Sequence, residues 1–119
     1  MQDFRNLAVW QKAHQLALEI YRATRLFPKD ELYGMTSQMR RAAVSVSANL
    51  AEGCGRRTDA DFARFTTIAM GSASELDCLI LLSRDLNLMD GRVADALAAA
   101  TIEVKRMLAS LTKRLAAGS

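Results

Sequence analysis

Apolar residues recur at steps of three and four along most of this chain, and only one proline and six glycines stand among its 119 residues to interrupt them. That spacing stacks side chains on one face of a helix, whereas a half-buried strand needs a step of two. The clearest seam is the last one. Val93, Leu97, Ala100, Val104, Met107 and Leu111 alternate steps of four and three, the period of helices packed at a shallow angle. No strand pattern, internal repeat or low-complexity tract competes with it.

Three other segments follow the same rule. The first runs from Asn6 or Leu7 to Leu26, with Trp10, Ala13, Ala17, Ile20 and Thr24 facing inward. Phe27-Pro28 ends it, because a residue before proline is pushed away from helical angles. KDELYGM forms a turn with one short helical piece. The second helix starts near Thr36, a good N-cap, and turns Met39, Val46 and Leu50 inward together with Ala42 or Ala43. Gly53 stands where a left-handed C-terminal cap is expected. Thr58 caps the third helix, with Asp61 three residues on as a short-armed capping box. Phe62, Phe65, Ala69, Leu76, Leu79 and Leu86 face inward, and Asn87 to Met89 make the break. Asp90 caps the fourth helix, and the tail AAGS is expected to fray. Short breaks force neighbouring helices to run antiparallel. The expected fold is all-α, an antiparallel up-down-up-down four-helix bundle, as one domain over residues 1–119.

Half of the residues are hydrophobic. That is a high share for a small helical monomer with several exposed faces, so burial against another copy is expected. No apolar run approaches the roughly 20 residues of a membrane span, and the start lacks the apolar segment of a secretion signal. A cytoplasmic location, with no membrane partner, is the expectation. Cys54 and Cys78 are too few for a disulfide framework. About 20 residues of helix hold them about 30 Å apart, against the roughly 7 Å that a disulfide allows. Both are expected as free thiols, with Cys54, near the glycines, the more exposed.

The net charge of +3 is unevenly placed. Residues 1–90 hold eleven basic and eleven acidic side chains, whereas residues 91–119 hold Arg92, Lys105, Arg106, Lys113 and Arg114 against Asp95 and Glu103. The excess therefore sits in the last helix. A basic helix can grip phosphates; cations near a helix C-terminus also meet its dipole favourably with no ligand at all. Arg56 and Arg57 lie in the connector before the third helix, where they and free backbone donors can hold a phosphate; a solvated turn is the alternative. The candidate nucleic-acid contacts are Arg56, Arg57, Lys105, Arg106, Lys113 and Arg114. Trp10, Phe62 and Phe65 fall on inward faces, so no stacking platform for single strands is expected. Tyr21 and Tyr33 are the aromatic residues placed to reach the surface.

RRAAVSVSANLAEGCGRR, residues 40–57, carries polar residues that a plain amphipathic helix does not need. Arg41, Ser45, Asn49 and Glu52 form one stripe beside the apolar face. Folding the third helix back about residues 55–57 sets Arg41 opposite Gly71, with Glu75 one turn on and small residues between. The simplest account is a structural polar network of Arg40, Arg41, Asn49, Glu52 and Glu75. At its centre Glu75 pairs with Arg41 or Arg40 between the helices, because a buried charge must be paired.

Catalysis finds little support. A di-metal bundle needs Glu-x-x-His on two helices, and the chain has one histidine, His14. One histidine and two distant cysteines do not make the usual zinc site. No base is evident for Ser45, Ser47, Ser72 or Ser74, and GCGRR follows no strand, so it is no nucleotide cradle. The expectation is a protein without catalytic residues, metal or cofactor.

Four ordered motifs carry a resemblance. They are F-x-x-L-x-V-W-x-K-A from Phe4 to Ala13, F-P-x-x-E-x-Y-G-M-T-S-Q-M-R-R-A-A-V-S from Phe27 to Ser45, N-L-A-E-G-C-G-R from Asn49 to Arg56, and F-x-x-I-A-M-G-S-A-S-E-L from Phe65 to Leu76. The chain resembles the small bacterial four helix bundle protein family, from its start to about residue 90. Members include proteins encoded in intervening sequences of bacterial large-subunit ribosomal RNA genes, hence an old label as ribosomal proteins. The resemblance implies an antiparallel four-helix protomer and a ring-shaped homo-oligomer, a pentamer. A bundle of similar shape is the accessory factor of diversity-generating retroelements and is held to bind nucleic acid and a reverse transcriptase; its motif is not matched here. The family pattern has isoleucine and proline where this chain has Val46 and Ser47, and glutamate where it has Asp77. It has no agreed enzymatic reaction. The combined expectation is a non-enzymatic, ring-forming bundle that binds RNA or DNA through basic surface residues. The alternative is a scaffold for protein–protein contacts with no nucleic-acid binding.

Overall fold

A helix rises about 1.5 Å per residue, so 28 residues of helix make a rod about 42 Å long. The last helix of this protein has 28 residues, and the molecule measures 45 × 21 × 20 Å. The computed structural model describes residues 2–118. Its long helices are α1 (Ala8–Thr24), α2 (Ser37–Cys54), α3 (Asp59–Asp85) and α4 (Gly91–Gly118), and the described residues contain no strand. The most extensive contacts of α3 are with α2 and α4, and α1 lies more lightly across the same two helices. The result is the expected antiparallel four-helix bundle.

Local signals account for most of the helix ends. Thr58 accepts the Asp61 N–H at 3.1 Å, satisfying one of the orphan donors at the start of α3. The Asp61 carboxylate does not complete the box, since it turns to Arg64 at 2.8 Å. Asp90 accepts the Arg92 N–H at 2.7 Å and starts α4. Asn87 carries the left-handed turn between α3 and α4, at φ 60°; asparagine tolerates that region better than most side chains.

Three boundary expectations fail. Thr36 is itself helical, at φ −56° and ψ −51°, and makes no side-chain cap. The chain enters α2 through a tight turn, Lys29–Glu31, and a wide one, Leu32–Thr36. There the Glu31 carboxylate accepts the Met35 N–H at 3.1 Å. A Cβ at Gly34 would stand 2.9 Å from that carboxylate oxygen, so the glycine leaves Glu31 room to reach. Gly53 is no left-handed cap either. No glycine has positive φ, and α2 runs through Gly53 to Cys54. The residue is glycine for a different reason: a Cβ there would lie 2.6 Å from the Phe62 ring and 3.0 Å from the Phe65 Cβ. Finally, the expected frayed tail is helical through Gly118; Ser119 lies outside the described residues.

The core follows the predicted stripes with a rotation in α4. Ile20, Met39, Leu50, Leu76 and Leu108 are fully buried, each contributing about 1.5–3 kcal/mol. In α4 the buried line is Ala94, Leu97, Thr101, Val104, Leu108, Leu111 and Leu115. Val93 is 41% exposed, and Leu86, also expected inside, is 54% exposed. Trp10 is only half-buried, stacked on the exposed His14 at 4.8 Å. Buried hydroxyls answer the helix backbone, one another or, for Ser83, the Met39 sulfur. Thr101 donates to the Leu97 carbonyl at 2.7 Å, and Thr66 meets Thr112 of α4 at 2.7 Å.

By length and composition α3 is apolar enough to cross a membrane, contrary to the sequence expectation. Counting uninterrupted apolar runs let Glu75 and Asp77 break the segment, whereas its average tolerates them. In the bundle the inner face of α3 is buried against α2 and α4.

The Gly53 contact yields a direct prediction. Gly53→Ala should destabilise the fold by about 1–3 kcal/mol, as overpacking of a core does, despite alanine's better helix propensity. Urea unfolding monitored by circular dichroism measures it, and a neutral result would contradict the tight approach of α3 to α2.

Candidate nucleic-acid interface

The connector between α2 and α3 is held by Arg56. Its guanidinium reaches Glu52 at 3.3 Å and Asp61 at 3.8 Å, one acid from each helix. It also lies 4.6 Å from the centre of the buried Phe65 ring, with Arg64 at 5.0 Å from the same ring. Such cation–ring contacts contribute about 0.5–1 kcal/mol at exposed sites. Arg56 therefore clamps the reversal and is not a free phosphate ligand. Lys105 is similarly engaged, 3.7 Å from Asp77 of α3 with both side chains about one-third exposed. Asp77, where the family pattern has glutamate, thus has a partner on the neighbouring helix.

The other four candidates have no ion pair among the described residues: Arg57, Arg106, Lys113 and Arg114 are exposed and unengaged. Arg57 lines a cleft of about 290 Å³ with Cys54, Asp59, Phe62 and Leu115. A Cβ at Gly118 would stand 2.8 Å from Asp59, so the last turn of α4 lies over the first turn of α3. Arg57, Lys113 and Arg114 thereby share one end of the bundle. Arg106 stands about 10 Å from Lys113 along α4, two helical turns. The α3 N-terminus itself is already supplied with anions. Asp59 and Asp61 occupy its first turn, where carboxylates meet the positive end of the helix dipole. The phosphate cradle expected from Arg56, Arg57 and free backbone donors is therefore reduced to Arg57.

The polar stripe of α2 does something other than pair charges. Ser45 and Ser72 hydroxyls meet at 2.8 Å across α2 and α3. The Asn49 side chain donates to the Ser45 carbonyl at 2.8 Å and to its hydroxyl at 3.1 Å. Arg40 turns towards α1, donating to Thr24 at 2.9 Å and covering the Tyr21 ring at 4.5 Å. Arg41 and Glu75 are exposed and line one shallow groove with Gln38, Ala42, Ser45 and Ser72. They form no ion pair, among the described residues, with each other or with any group. The expected buried pair of Glu75 with Arg41 or Arg40 is thus absent. The observed register, with Ser45 opposite Ser72, brings Arg41 level with Glu75, but both stand on the exposed rim of the α2–α3 seam, and Ser45 rather than Arg41 meets the small residues of α3. Both charges stay hydrated, which avoids a desolvation penalty of several kcal/mol per ion.

The cysteines are free, as expected, but their exposure is the reverse of expectation: Cys54 is buried and Cys78 exposed. Gly53 beside Cys54 lets α3 approach closely and cover it, and the chain start is tied down by a hydrogen bond from the Gln2 N–H to the Cys54 carbonyl at 3.4 Å. Burial pushes the Cys54 thiol up from its ordinary range, and the Gln2 side chain offsets this only in part.

The fold is that of a small antiparallel four-helix bundle protein; of its exposed cations without an ion pair among the described residues, Arg57, Lys113 and Arg114 share one end and Arg106 lies further along α4, while Arg25, Lys29, Arg41 and Arg92 lie elsewhere. The model of the family described as 23S rRNA-intervening sequence protein matches residues 5–110. The chain belongs to that family, and the match extends into α4, past the residue near 90 where the sequence motifs ran out. A solved structure from Bacteroides thetaiotaomicron, a protein with unknown function from the S23 ribosomal protein family, superposes with a TM-score of 0.80. It is 22% identical in sequence, over 88% of this chain and 98% of that one. Comparison with curated proteins finds no match.

Two measurements check these contacts. Ser72→Ala should cost about 0.5–1.5 kcal/mol in urea unfolding, the range for one intramolecular hydrogen bond. A maleimide at neutral pH should leave Cys54 unmodified until the protein is unfolded, since a buried, protonated thiol is unreactive. Mass mapping of native and urea-treated samples reads the difference.

Proposed function

We propose that this protein is a non-catalytic, self-associating bundle that binds RNA or DNA through phosphate contacts. The observation that carries the reading is that four of the six candidate cations, Arg57, Arg106, Lys113 and Arg114, have no ion pair among the described residues, three of them sharing one end of the bundle. An unpaired arginine or lysine on a rigid helix can release condensed counterions when it meets a phosphate, and this term dominates sequence-independent affinity. Arg56 and Lys105 drop out of the contact set because acids on neighbouring helices already hold them. Membership of a family named for ribosomal RNA intervening sequences supports a nucleic-acid setting. Self-association, as a ring of five, belongs to the same reading. Its support is the family resemblance and the apolar side chains left uncovered, such as Leu26 at 86% and Tyr33 at 93% exposed.

A second reading, a protein-binding scaffold, has one observation in its favour. An apolar groove of about 870 Å³ lies between α1 and α4, lined by Ala23, Leu26, Leu88, Met89, Val93 and Leu97 among others.

Fluorescence anisotropy with single-stranded and duplex RNA and DNA, across a salt series, separates the two. Binding should be strongest at low salt. Removing Arg57, Lys113 and Arg114 together should flatten the log–log salt slope by about 0.7–0.9 per contacted phosphate. Lys105→Ala should leave that slope unchanged. Absence of binding at low salt rejects the nucleic-acid reading and leaves the scaffold.

A further inference from the structure

An 18-residue stretch of α3 has the composition of a membrane span, yet only 39% of it is buried in the protomer. Residues 65–83 carry just two charges, Glu75 and Asp77, and Asp77 is engaged by Lys105. The outward face presents Thr67, Gly71, Ser74, Cys78 and Leu81 at alternating steps of four and three, all exposed. Ile68, Leu81 and Leu82 are 45%, 50% and 44% exposed. Gly71 sits mid-helix with nothing within 4 Å of where a Cβ would stand. Glycine there weakens the helix relative to alanine, and no contact inside the protomer calls for it.

We infer that this face of α3 docks against the α3 of a second copy, the two helices running antiparallel about a two-fold axis near Ser74 and Glu75. What points to the second copy is self-complementarity. Read against itself in the opposite direction, the segment sets Gly71 beside Cys78, Ile68 near Leu82, and Arg64 near Asp85. Small meets small at the centre, aliphatic meets aliphatic further out, and opposite charges meet at both ends. A two-fold contact must be self-matching in this way, and the step of four and three is that of paired helices. The same axis brings together the two Arg41–Glu75 grooves, whose charges have no partner in the protomer. Each carboxylate there meets the guanidinium of the other copy at the rim of an apolar contact, which fixes register more than affinity. The contact joins copies in pairs, and so goes beyond the ring of the preceding proposal and does not require it.

The test is site-directed crosslinking of the full chain. Gly71→Cys adds a thiol where the protomer has open space, and Cys54 is buried, so Cys78 is the available native thiol. Under mild oxidation the variant should form a disulfide-linked dimer joining position 71 of one copy to Cys78 of the other, identified by peptide mass mapping. Formation should be at least about tenfold faster than for Ala99→Cys on α4, because effective concentration at a formed contact reaches the millimolar range. The parent should not crosslink through Cys78, which lies seven residues, about 10 Å, from its own symmetry mate. Leu81→Arg, an exposed change that leaves the helix intact, should shift sedimentation towards smaller species. A crosslinking rate no better than the Ala99→Cys control overturns the proposal, as does a disulfide between the two introduced thiols. An unchanged sedimentation profile for Leu81→Arg also overturns it. Flotation with phosphatidylcholine vesicles in the absence of crosslinking would assign the face to lipid instead. Native mass measurement of ring size reads the earlier proposal separately.

Discussion

The approach of the Phe62 ring to the backbone of Gly53 sets where α3 lies on α2. With any side chain at position 53 the ring would have to move, and Phe65 behind it. With none, α2 runs through Gly53 to Cys54, a connector of four residues follows, and α3 folds back at close range. Much of the interior inherits its register from that point. Ser45 meets Ser72, the Ser83 hydroxyl reaches the Met39 sulfur at 3.3 Å, and Cys54 is sealed beneath the reversal. The clamp of Arg56 on Glu52, Asp61 and Phe65 closes the same corner from outside.

Charge in this protein is arranged by exclusion from the interior. The polar groups buried between helices are hydroxyls, which find backbone carbonyls, each other or, for Ser83, the Met39 sulfur, and no buried side-chain polar atom among the described residues lacks a partner. The ion pairs lie at the surface, where each is worth about 0–1 kcal/mol. The bundle thus spends little stability on electrostatics. Its unpaired cations remain available to an external anion, and its Arg41–Glu75 groove to another surface.

The function proposed for the chain follows from this division. α4 contributes a core seam on one side and free cations on the other, while α3 contributes a core face and a nearly uncharged outer face. A ligand made of phosphates suits the first surface and a second protein copy suits the other. The two faces belong to different helices, so binding and assembly need not compete.

The helices, their number and their antiparallel order were legible in the sequence because helical period, a proline stop and caps such as Thr58 and Asp90 act within a few residues of themselves. The free state of both thiols was legible for a similar reason, since a long helix keeps them apart. The direction each stripe finally faced was less so: Val93 and Leu86 proved exposed because helix rotation answers to neighbours. The role of Gly53, the burial of Cys54, and the partners of Arg40, Arg56 and Lys105 were decided by tertiary structure alone. Each depends on the offset at which one helix meets another. Between α2 and α3 the offset goes with a contact between residues nine apart, Gly53 and Phe62, across a turn that the local pattern placed too early.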